Sequence, residues 1–175
     1  MFLSDAEEND SADGENGIFD KHYGMGYNEA VHKHGIPQKQ EINMKIDETW
    51  VKMYDAARSV MNERRISGYV TAGEVGAAIL SSSGNIYTGV CIDTCSTLGI
   101  CAERNAIFNM ITNGEDSIDR VLAVMPDGKT GAPCGACREL MVQLMPDTYK
   151  GIEVMLDHEN GRVITLGDLT PEWWI

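Results

Sequence analysis

The chain lacks the features that mark membrane, secreted or nucleic-acid-binding proteins. No apolar run approaches the roughly 18 residues that a transmembrane helix needs. The first twenty residues hold seven acids and no Lys or Arg, unlike the basic start of a signal peptide. Adjacent Lys or Arg residues occur only at Arg64-Arg65, and the net charge is −13. The sequence therefore predicts a cytoplasmic protein that binds neither a membrane nor a nucleic acid.

Composition divides the 175 residues into an extension and one domain. Residues 1–45 contain acids, Gly, Asn and His without an apolar repeat, so they are predicted to be a disordered extension. An alternative stays open, in which residues 20–40 lie across a neighbouring subunit. The whole chain is 43% hydrophobic, which is enough to bury a core, and residues 46–175 are predicted to form the folded domain.

Apolar spacing predicts an alternation of helices and strands over this domain. Asp47 is available to cap the first helix, and Asn113-Gly114 is typical of a helix end. The predicted elements are a helix over 47–65, a loop over 64–73, strands over 74–80 and 86–90 joined by a hairpin turn, a helix from 101, a strand over 118–125, a helix over 134–145, and strands over 152–156 and 162–166. Connections through helices indicate an α/β sandwich.

Two cysteine motifs carry most of the chemical information. They are Cys101-Ala102-Glu103-Arg104 and Pro133-Cys134-Gly135-Ala136-Cys137-Arg138, with 32 residues between Cys101 and Cys134. Three converging thiols can hold one Zn²⁺ tetrahedrally and leave its fourth position open, as in catalytic zinc sites. Both motifs fall at predicted helix starts, where partial positive charge favours thiolates.

The cysteines also allow interpretations other than a catalytic zinc site. A single Cys-x-x-Cys is also typical of redox sites and of half a structural zinc site. A structural site needs a fourth ligand, and no histidine lies at suitable spacing; the four are His22, His32, His34 and His158. Cys91 and Cys95 could complete a four-cysteine site, but they lack the paired spacing.

The motifs resemble those of the cytidine deaminase family, specifically its small-subunit, three-cysteine branch, from about Gly76 to Trp174. The resemblance implies a three-layer α/β/α sandwich with a mixed five-stranded sheet and Zn²⁺ as cofactor. It implies Cys101, Cys134 and Cys137 as ligands and Glu103 as the acid and base of a hydrolytic deamination. It also implies a homotetramer that acts in pyrimidine salvage on cytidine or deoxycytidine.

Two arginines are expected to offset the negative charge of three thiolates. Arg104 matches an arginine that donates hydrogen bonds to the ligand sulfurs in the three-cysteine deaminases. Arg138 lies beside the third thiol and is assigned the same role, with a solvated helix arginine as the alternative.

The resemblance also assigns groups that contact the substrate. The backbone N–H of Ala102 is expected to meet the ring O2, and the carbonyl of Ala132 the amino group, with Pro133 fixing that loop. At the C-terminus, Trp173 and Trp174 match an aromatic lid, and one of the two is expected to pack internally.

Sugar recognition departs from the family. Cytidine deaminases usually have Asn-x-Glu on the second strand, where this chain has Cys91-Ile92-Asp93. Asp93 can still accept a hydrogen bond, whereas Cys91 is a weak partner. A modified nucleoside, a free base or a cytosine-bearing antibiotic of the blasticidin type therefore stays open as the substrate. The less favoured alternatives are a nucleotide or nucleic-acid deaminase and a non-catalytic zinc-binding module.

Overall fold

The structure is a computed structural model that describes residues 46–174. The predicted extension, residues 1–45, lies outside the described residues. The helices and strands in chain order are α1 (Glu48–Val60), β1 (Arg64–Arg65), β2 (Val70–Ser81), β3 (Ile86–Thr94), α2 (Ala102–Thr112), β4 (Ile118–Val124), α3 (Gly135–Leu144), β5 (Glu153–Asp157), β6 (Arg162–Thr165) and α4 (Leu166–Leu169). A short 3₁₀ turn over Tyr149–Gly151 precedes β5.

The strands form one mixed sheet. β2 pairs antiparallel with β1, β3 and β4, while β5 pairs parallel with β4 and antiparallel with β6. The parallel pair is joined through α3, because a parallel connection has to cross over one face of the sheet. This crossover brings the start of α3 to the end of β4.

Alternate residues of the strands face two separate cores, and this alternation creates three layers. On one face, Ala77, Ile79 and Val121 pack with α2 and α3. On the other face, Ala78 and Leu122 pack against α1. The side-chain period of two therefore places α1 opposite the helices that begin at the cysteines, which confirms the predicted α/β/α sandwich.

The local patterns that predicted the elements are present in the structure. Asp47 caps α1 by accepting a hydrogen bond of 3.0 Å from the backbone N–H of Trp50. Gly114, with a φ of 84°, follows the end of α2, as a left-handed glycine commonly does. The hairpin turn closes between Ser81 and Asn85 through a backbone hydrogen bond of 2.9 Å.

Three details differ from the predictions. The first helix ends at Val60 rather than 65, because Arg64–Arg65 pairs with Ala72 and Thr71 as β1. The sheet consequently has six strands where five were expected. The short helix α4 was missed, although Thr165 and Asp168 form a capping box at its start, a pattern readable as Thr-x-x-Asp.

None of the helices over residues 46–174 combines the length and apolarity that crossing a bilayer requires.

Candidate active site

The cysteine thiols lie at the starts of two helices on the same face of the sheet. Cys101 is the N-cap residue of α2, and Cys134 is the N-cap residue of α3. Cys137 lies in the first turn of α3, and its side chain is buried. Both helix starts carry the partial positive charge of their unpaired N–H groups, which stabilises thiolates. The predicted positions of the three cysteines at helix starts are confirmed.

The three sulfurs converge on one point. The Sγ atoms of Cys101 and Cys134 are 3.4 Å apart, and those of Cys134 and Cys137 are 3.5 Å apart. All three lie within 4.8 Å of one another, and none forms a disulfide. A tetrahedral ion with bonds of about 2.3 Å separates its sulfur ligands by about 3.8 Å. The sulfur geometry therefore fits a single zinc ion.

The electrostatics of the thiols also fit a divalent cation. Burial raises the pKa of Cys137, and the charge of Glu103 raises it further. Burial and a hydrogen bond with Cys134 raise the pKa of Cys101. Burial opposes ionisation of Cys134 as well, but hydrogen bonds from the Cys137 backbone N–H and the neighbouring thiols lower its pKa. The positive charge of a divalent cation would offset the repulsion between neighbouring thiolates, so the thiols would lose their protons on coordination.

Glu103 is a buried carboxyl beside the thiols, with only 5% of its surface exposed. Burial raises its pKa, while a hydrogen bond from the Cys137 thiol and the charge of Arg104 act in the opposite direction. A carboxyl whose pKa is raised by burial exchanges protons closer to neutral pH than an exposed one does. Its position suits a group that first accepts and then donates a proton.

Arg104 lies close enough to the three thiols for them to affect its pKa. Burial lowers its pKa, but a hydrogen bond with Cys101 and the charges of the three thiols outweigh this effect and raise it. Its Nε atom is buried and has no hydrogen-bond partner within residues 46–174. A partly buried guanidinium beside the thiols can offset the negative charge that they carry as thiolates; this role of Arg104 stays a prediction.

Strand β3 is fixed to α2 by close backbone approach. A Cβ atom on Gly89 of β3 would lie 2.3 Å from the backbone N of Ala106, so only glycine fits there. Asn105 donates to the carbonyl of Val90 at 3.0 Å, and Asn109 donates to that of Thr88 at 3.1 Å. These asparagines, which the sequence analysis missed, recur at the helical i, i+4 spacing on the face that meets β3.

Comparisons with known proteins agree with this site. The family model described as "Cytidine and deoxycytidylate deaminase zinc-binding region" matches residues 47–150. The chain belongs to this family. It is therefore a deaminase of the cytidine deaminase type, a hydrolase acting on a C–N bond, whose three-cysteine group fits Zn²⁺.

Individual relatives differ in the substrate that their names state. A cytidine deaminase of Halalkalibacterium halodurans is 35% identical over 101 residues, which cover 56% of this chain and 74% of that protein. A blasticidin-S deaminase of Bacillus cereus is 32% identical over 108 residues, covering 55% of this chain and 74% of that protein. The crystal structure of cytidine deaminase from Mycobacterium tuberculosis has a TM-score of 0.59 and 26% identity, covering 74% of this chain and 99% of that one.

Cys91 and Asp93, which the sequence analysis expects in place of the family's sugar-binding pair, lie on β3. Cys91 is partly buried, and its Sγ accepts a hydrogen bond of 3.3 Å from the backbone N–H of Val75, opposite an irregularity in β2. Asp93 is exposed. Ile92 between them pairs with Ile100, the residue before Cys101. Both residues therefore flank the entry to α2, although Cys91 is engaged by the backbone of its own sheet.

The loop before α3 carries Gly131, Ala132 and Pro133, which are expected to line the substrate and are called the substrate wall below. Thr130 pairs with Val124 at the end of β4, and the backbone N–H of Gly131 donates to the carbonyl of Ala123 at 3.3 Å. Pro133 is buried, whereas Ala132 is exposed. The wall is thus attached to the sheet at its start and to α3 at its end.

Arg138 occupies a different position from the one expected. Its Nε donates to the carbonyl of Pro133 at 2.8 Å, and its Nη1 donates to the carbonyl of Leu169 at 3.0 Å. These carbonyls take the place of the ligand sulfurs as its acceptors. The side chain points back along α3, as helical side chains do, and so reaches the loop that precedes the helix.

Both C-terminal tryptophans are tied to α3. The indole N–H of Trp173 donates to Glu139 at 2.9 Å, and that of Trp174 donates to both carboxylate oxygens of Glu139 at 3.1 and 3.0 Å. Trp173 packs against the core that includes α3, whereas Trp174 is 70% exposed. One tryptophan does pack internally, as expected. Glu139 was missed, because a carboxylate on a half-exposed helix face resembles any solvated charge.

Proposed function

We propose that this deaminase converts an aminopyrimidine nucleoside, cytidine or deoxycytidine, to the corresponding uracil nucleoside and ammonia. The observation that carries the proposal is the convergence of a buried carboxyl, Glu103, with three thiols at two helix starts. Cys101, Cys134 and Cys137 would hold Zn²⁺. When bound in such a site, Zn²⁺ lowers the pKa of water and supplies a nucleophile at neutral pH.

Glu103 is the proton carrier in this proposal. It accepts one proton from the water and delivers it to ring N3, and it then accepts the second proton from the hydroxyl added at C4 and delivers it to the departing amine, so that water is consumed and ammonia is released. One carboxyl can serve as base and then as acid because burial brings its pKa towards neutrality. Its burial also excludes bulk water from the proton transfer.

Backbone groups would orient the base. Ala102 is the first residue of α2, where the N–H groups lack intrahelical partners, so its N–H can donate to the ring O2. The carbonyl of Ala132, on the loop attached to β4 and α3, would accept a hydrogen bond from the amino group that leaves. These two contacts would place C4 of the ring at the open side of the thiol cluster.

A cytosine-bearing antibiotic of the blasticidin type is the second candidate substrate. Two observations favour it: Cys91 and Asp93 stand in place of the family's Asn-x-Glu, and one relative is a blasticidin-S deaminase. The Cys91 sulfur already accepts a hydrogen bond from the Val75 backbone N–H, which leaves this side chain little capacity to bind a ribose hydroxyl. The exposed carboxylate of Asp93 stays available to a hydroxyl or to a cationic substituent.

The assembly and location form part of the same proposal. Trp174 is 70% exposed and follows a segment docked on α3, so it offers an aromatic anchor to a second copy in a homotetramer. The five cysteines are free thiols, which suits a reducing cytoplasm and a role in pyrimidine salvage.

The test is ammonia release from cytosine, cytidine, deoxycytidine, blasticidin S, dCMP and cytosine-containing oligonucleotides. Glu103→Gln is the matched variant, because it keeps the shape and the three thiols but cannot carry the proton. We expect turnover of a nucleoside or of blasticidin S by the unmodified protein. We expect Glu103→Gln to lose roughly 10²–10⁴ in kcat while retaining zinc. Near-normal turnover by the variant would contradict the role of Glu103, and turnover of oligonucleotides alone would contradict the substrate class.

A further inference from the structure

Arg138 joins two backbone segments that are distant in sequence. Its Nε contacts the Pro133 carbonyl at 2.8 Å, and its Nη1 contacts the Leu169 carbonyl at 3.0 Å. The first carbonyl belongs to the residue before Cys134, and the second lies at the last residue of α4. Carbonyls at such positions lack a partner within a helix, so a cation that binds both satisfies two otherwise unpaired acceptors.

The segment on the far side of this bridge is itself anchored to α3. Glu139, the next residue after Arg138, accepts hydrogen bonds from the indole N–H groups of Trp173 and Trp174. Thr170 is buried, and its hydroxyl donates to the Leu166 carbonyl at 2.7 Å. The Leu169 carbonyl is therefore held in place from both sides. A fixed acceptor of this kind can orient an arginine, and the arginine can then orient its second acceptor.

The segment on the near side is the loop that carries the proposed substrate wall and one thiol. From Gly131 to Cys134, it leaves the sheet at the Ala123 carbonyl and enters α3. Between these attachments, the bond to Arg138 fixes the peptide that joins Pro133 to Cys134. Rotation of this peptide would move both the Cys134 sulfur and the carbonyl of Ala132.

We propose that Arg138 is a positioning residue of the deaminase site. It holds the loop from Gly131 to Cys134 at a fixed position relative to the C-terminal segment, which begins at the end of α4. The expected effect on kcat/KM rests on the proposed function, whereas the expected effect on zinc release does not. Arginine suits the role because its planar guanidinium presents donors in a fixed fork, whereas lysine has a single ammonium group. Charged hydrogen bonds of this type are also roughly twice as strong as neutral ones.

The experiment compares Arg138→Lys with Arg120→Lys in the full chain. Arg120 is a matched control because it also bridges two partners, Asp47 and Glu153, at 2.7 and 2.8 Å. It stacks on Trp50, which packs in the core on the opposite face of the sheet. Three quantities are measured for each protein: zinc release to a chromogenic chelator, kcat and KM on the preferred substrate, and the melting temperature.

We expect Arg138→Lys to release zinc about 10-fold faster than the unmodified protein, in line with the loss of other groups that orient metal ligands. We expect kcat/KM to fall by about 10- to 100-fold, mostly in kcat. A displaced loop would misorient the base relative to Glu103 and the thiols more than it would weaken substrate binding. Arg120→Lys should lower only the melting temperature. Zinc release is measured on the folded fraction isolated by gel filtration, so partial misfolding does not obscure the result.

Two outcomes separate this inference from the proposed function. If Arg138→Lys behaves like Arg120→Lys, with only a lower melting temperature, Arg138 is merely structural and the inference is overturned. If the unmodified protein deaminates nothing in the substrate panel, the proposed function fails, and faster zinc release by Arg138→Lys would still establish the positioning role.

Discussion

The site has two halves that are built differently. In the thiol half, Cys101, Cys134 and Cys137 lie at two helix starts, beside a carboxyl that is only 5% exposed. In the half that is proposed to bind the sugar, called the sugar half, Asp93 and Trp174 are exposed, and they lie on β3 and on the segment after α4. The thiol half lies on helices that pack in a hydrophobic core. Exposed side chains can be exchanged with little effect on that core, and the sugar half is where the sequence differs from the Asn-x-Glu that the resemblance leads one to expect.

The largest expected effect follows from breaking the thiol half. Cys134→Ala removes a ligand that the two other sulfurs approach to 3.4 and 3.5 Å. We expect zinc content and deamination to fall to background, because two thiolates no longer complete the site. Zinc is measured by elemental analysis and activity by ammonia release.

Cys95→Ala is the control for this change. Cys95 is also an exposed thiol, but it does not belong to the converging group of sulfurs. It should keep both zinc and activity. Full zinc occupancy in Cys134→Ala would show that the ligands have been assigned wrongly.

The thiol half could be predicted from sequence because its motifs are local and resemble those of a known family. The apolar pattern placed the three cysteines at two helix starts, and the resemblance to cytidine deaminases implied that they converge. The contacts of Arg138 and Glu139 with the C-terminal segment could not be assigned in this way, since these partners lie more than thirty residues away in sequence. A local pattern identifies the charge of a side chain but not the distant carbonyl or indole that it meets.

The second prediction concerns two residues of the sugar half. Cys91→Asn together with Asp93→Glu restores the family's pair, and we expect kcat/KM for cytidine to rise by about 10-fold relative to deoxycytidine and blasticidin S. The reason is that an amide and a longer carboxylate can pair with ribose hydroxyls, whereas the Cys91 sulfur is used by the Val75 N–H. Zinc content should not change.

Each single change serves as a control for the double change. Asp93→Glu alone keeps the Cys91 contact with the backbone and should shift preference less. If the unmodified enzyme is already sharply selective for cytidine, and the double change does not improve it, the sugar is read elsewhere.

The fold was predictable to the extent that each element is specified by its own residues. Helices with caps and turns with glycine were located within a few residues. The lengths of β2 and β3 were underestimated. These strands extend over Val70–Ser81 and Ile86–Thr94 because they pair with each other along most of their length. The short strand β1, Arg64–Arg65, is fully exposed and has no apolar pattern, so pairing with β2 alone defines it.

The third prediction tests whether Glu115 stabilises the start of β3, the strand that carries Cys91 and Asp93. Glu115, after α2, accepts hydrogen bonds from Ser83, from Asn85 at 2.6 Å and from Tyr87 at 2.7 Å. Hydrogen bonds from the surrounding serines, Asn85 and Tyr87 lower its pKa from 4.5 to about 2. The folded-state pKa is thus below the unfolded one, so its stabilisation is present above about pH 4.5 and is lost as the pH falls towards 2.

We expect Glu115→Gln to melt a few degrees lower than the unmodified protein at neutral pH, with the difference shrinking between pH 4.5 and 2. The effect is small because the carboxylate is solvent-accessible and screened. Asp119→Asn is the control, since Asp119 accepts a hydrogen bond from Ser82 in the same turn but shows no such cluster of donors. An unchanged pH profile in Glu115→Gln would mean that the cluster does not stabilise the strand.

The smallest expected effect concerns residues 1–43, for which the sequence predicts an extension without a core-forming pattern. A chain that begins at Met44 keeps all three thiols, Glu103 and both hydrophobic cores, the first described residue being Ile46 at the edge of the α1 core. We therefore expect zinc content and kcat/KM to match those of the full chain. The measurement distinguishes the two halves of the site, because substrate preference is compared across cytidine, deoxycytidine and blasticidin S alongside zinc content. A loss of zinc would show that the extension supports the thiol half. A change in preference at constant zinc would show that it contributes to the sugar half, as the alternative of a segment lying across a neighbouring subunit requires.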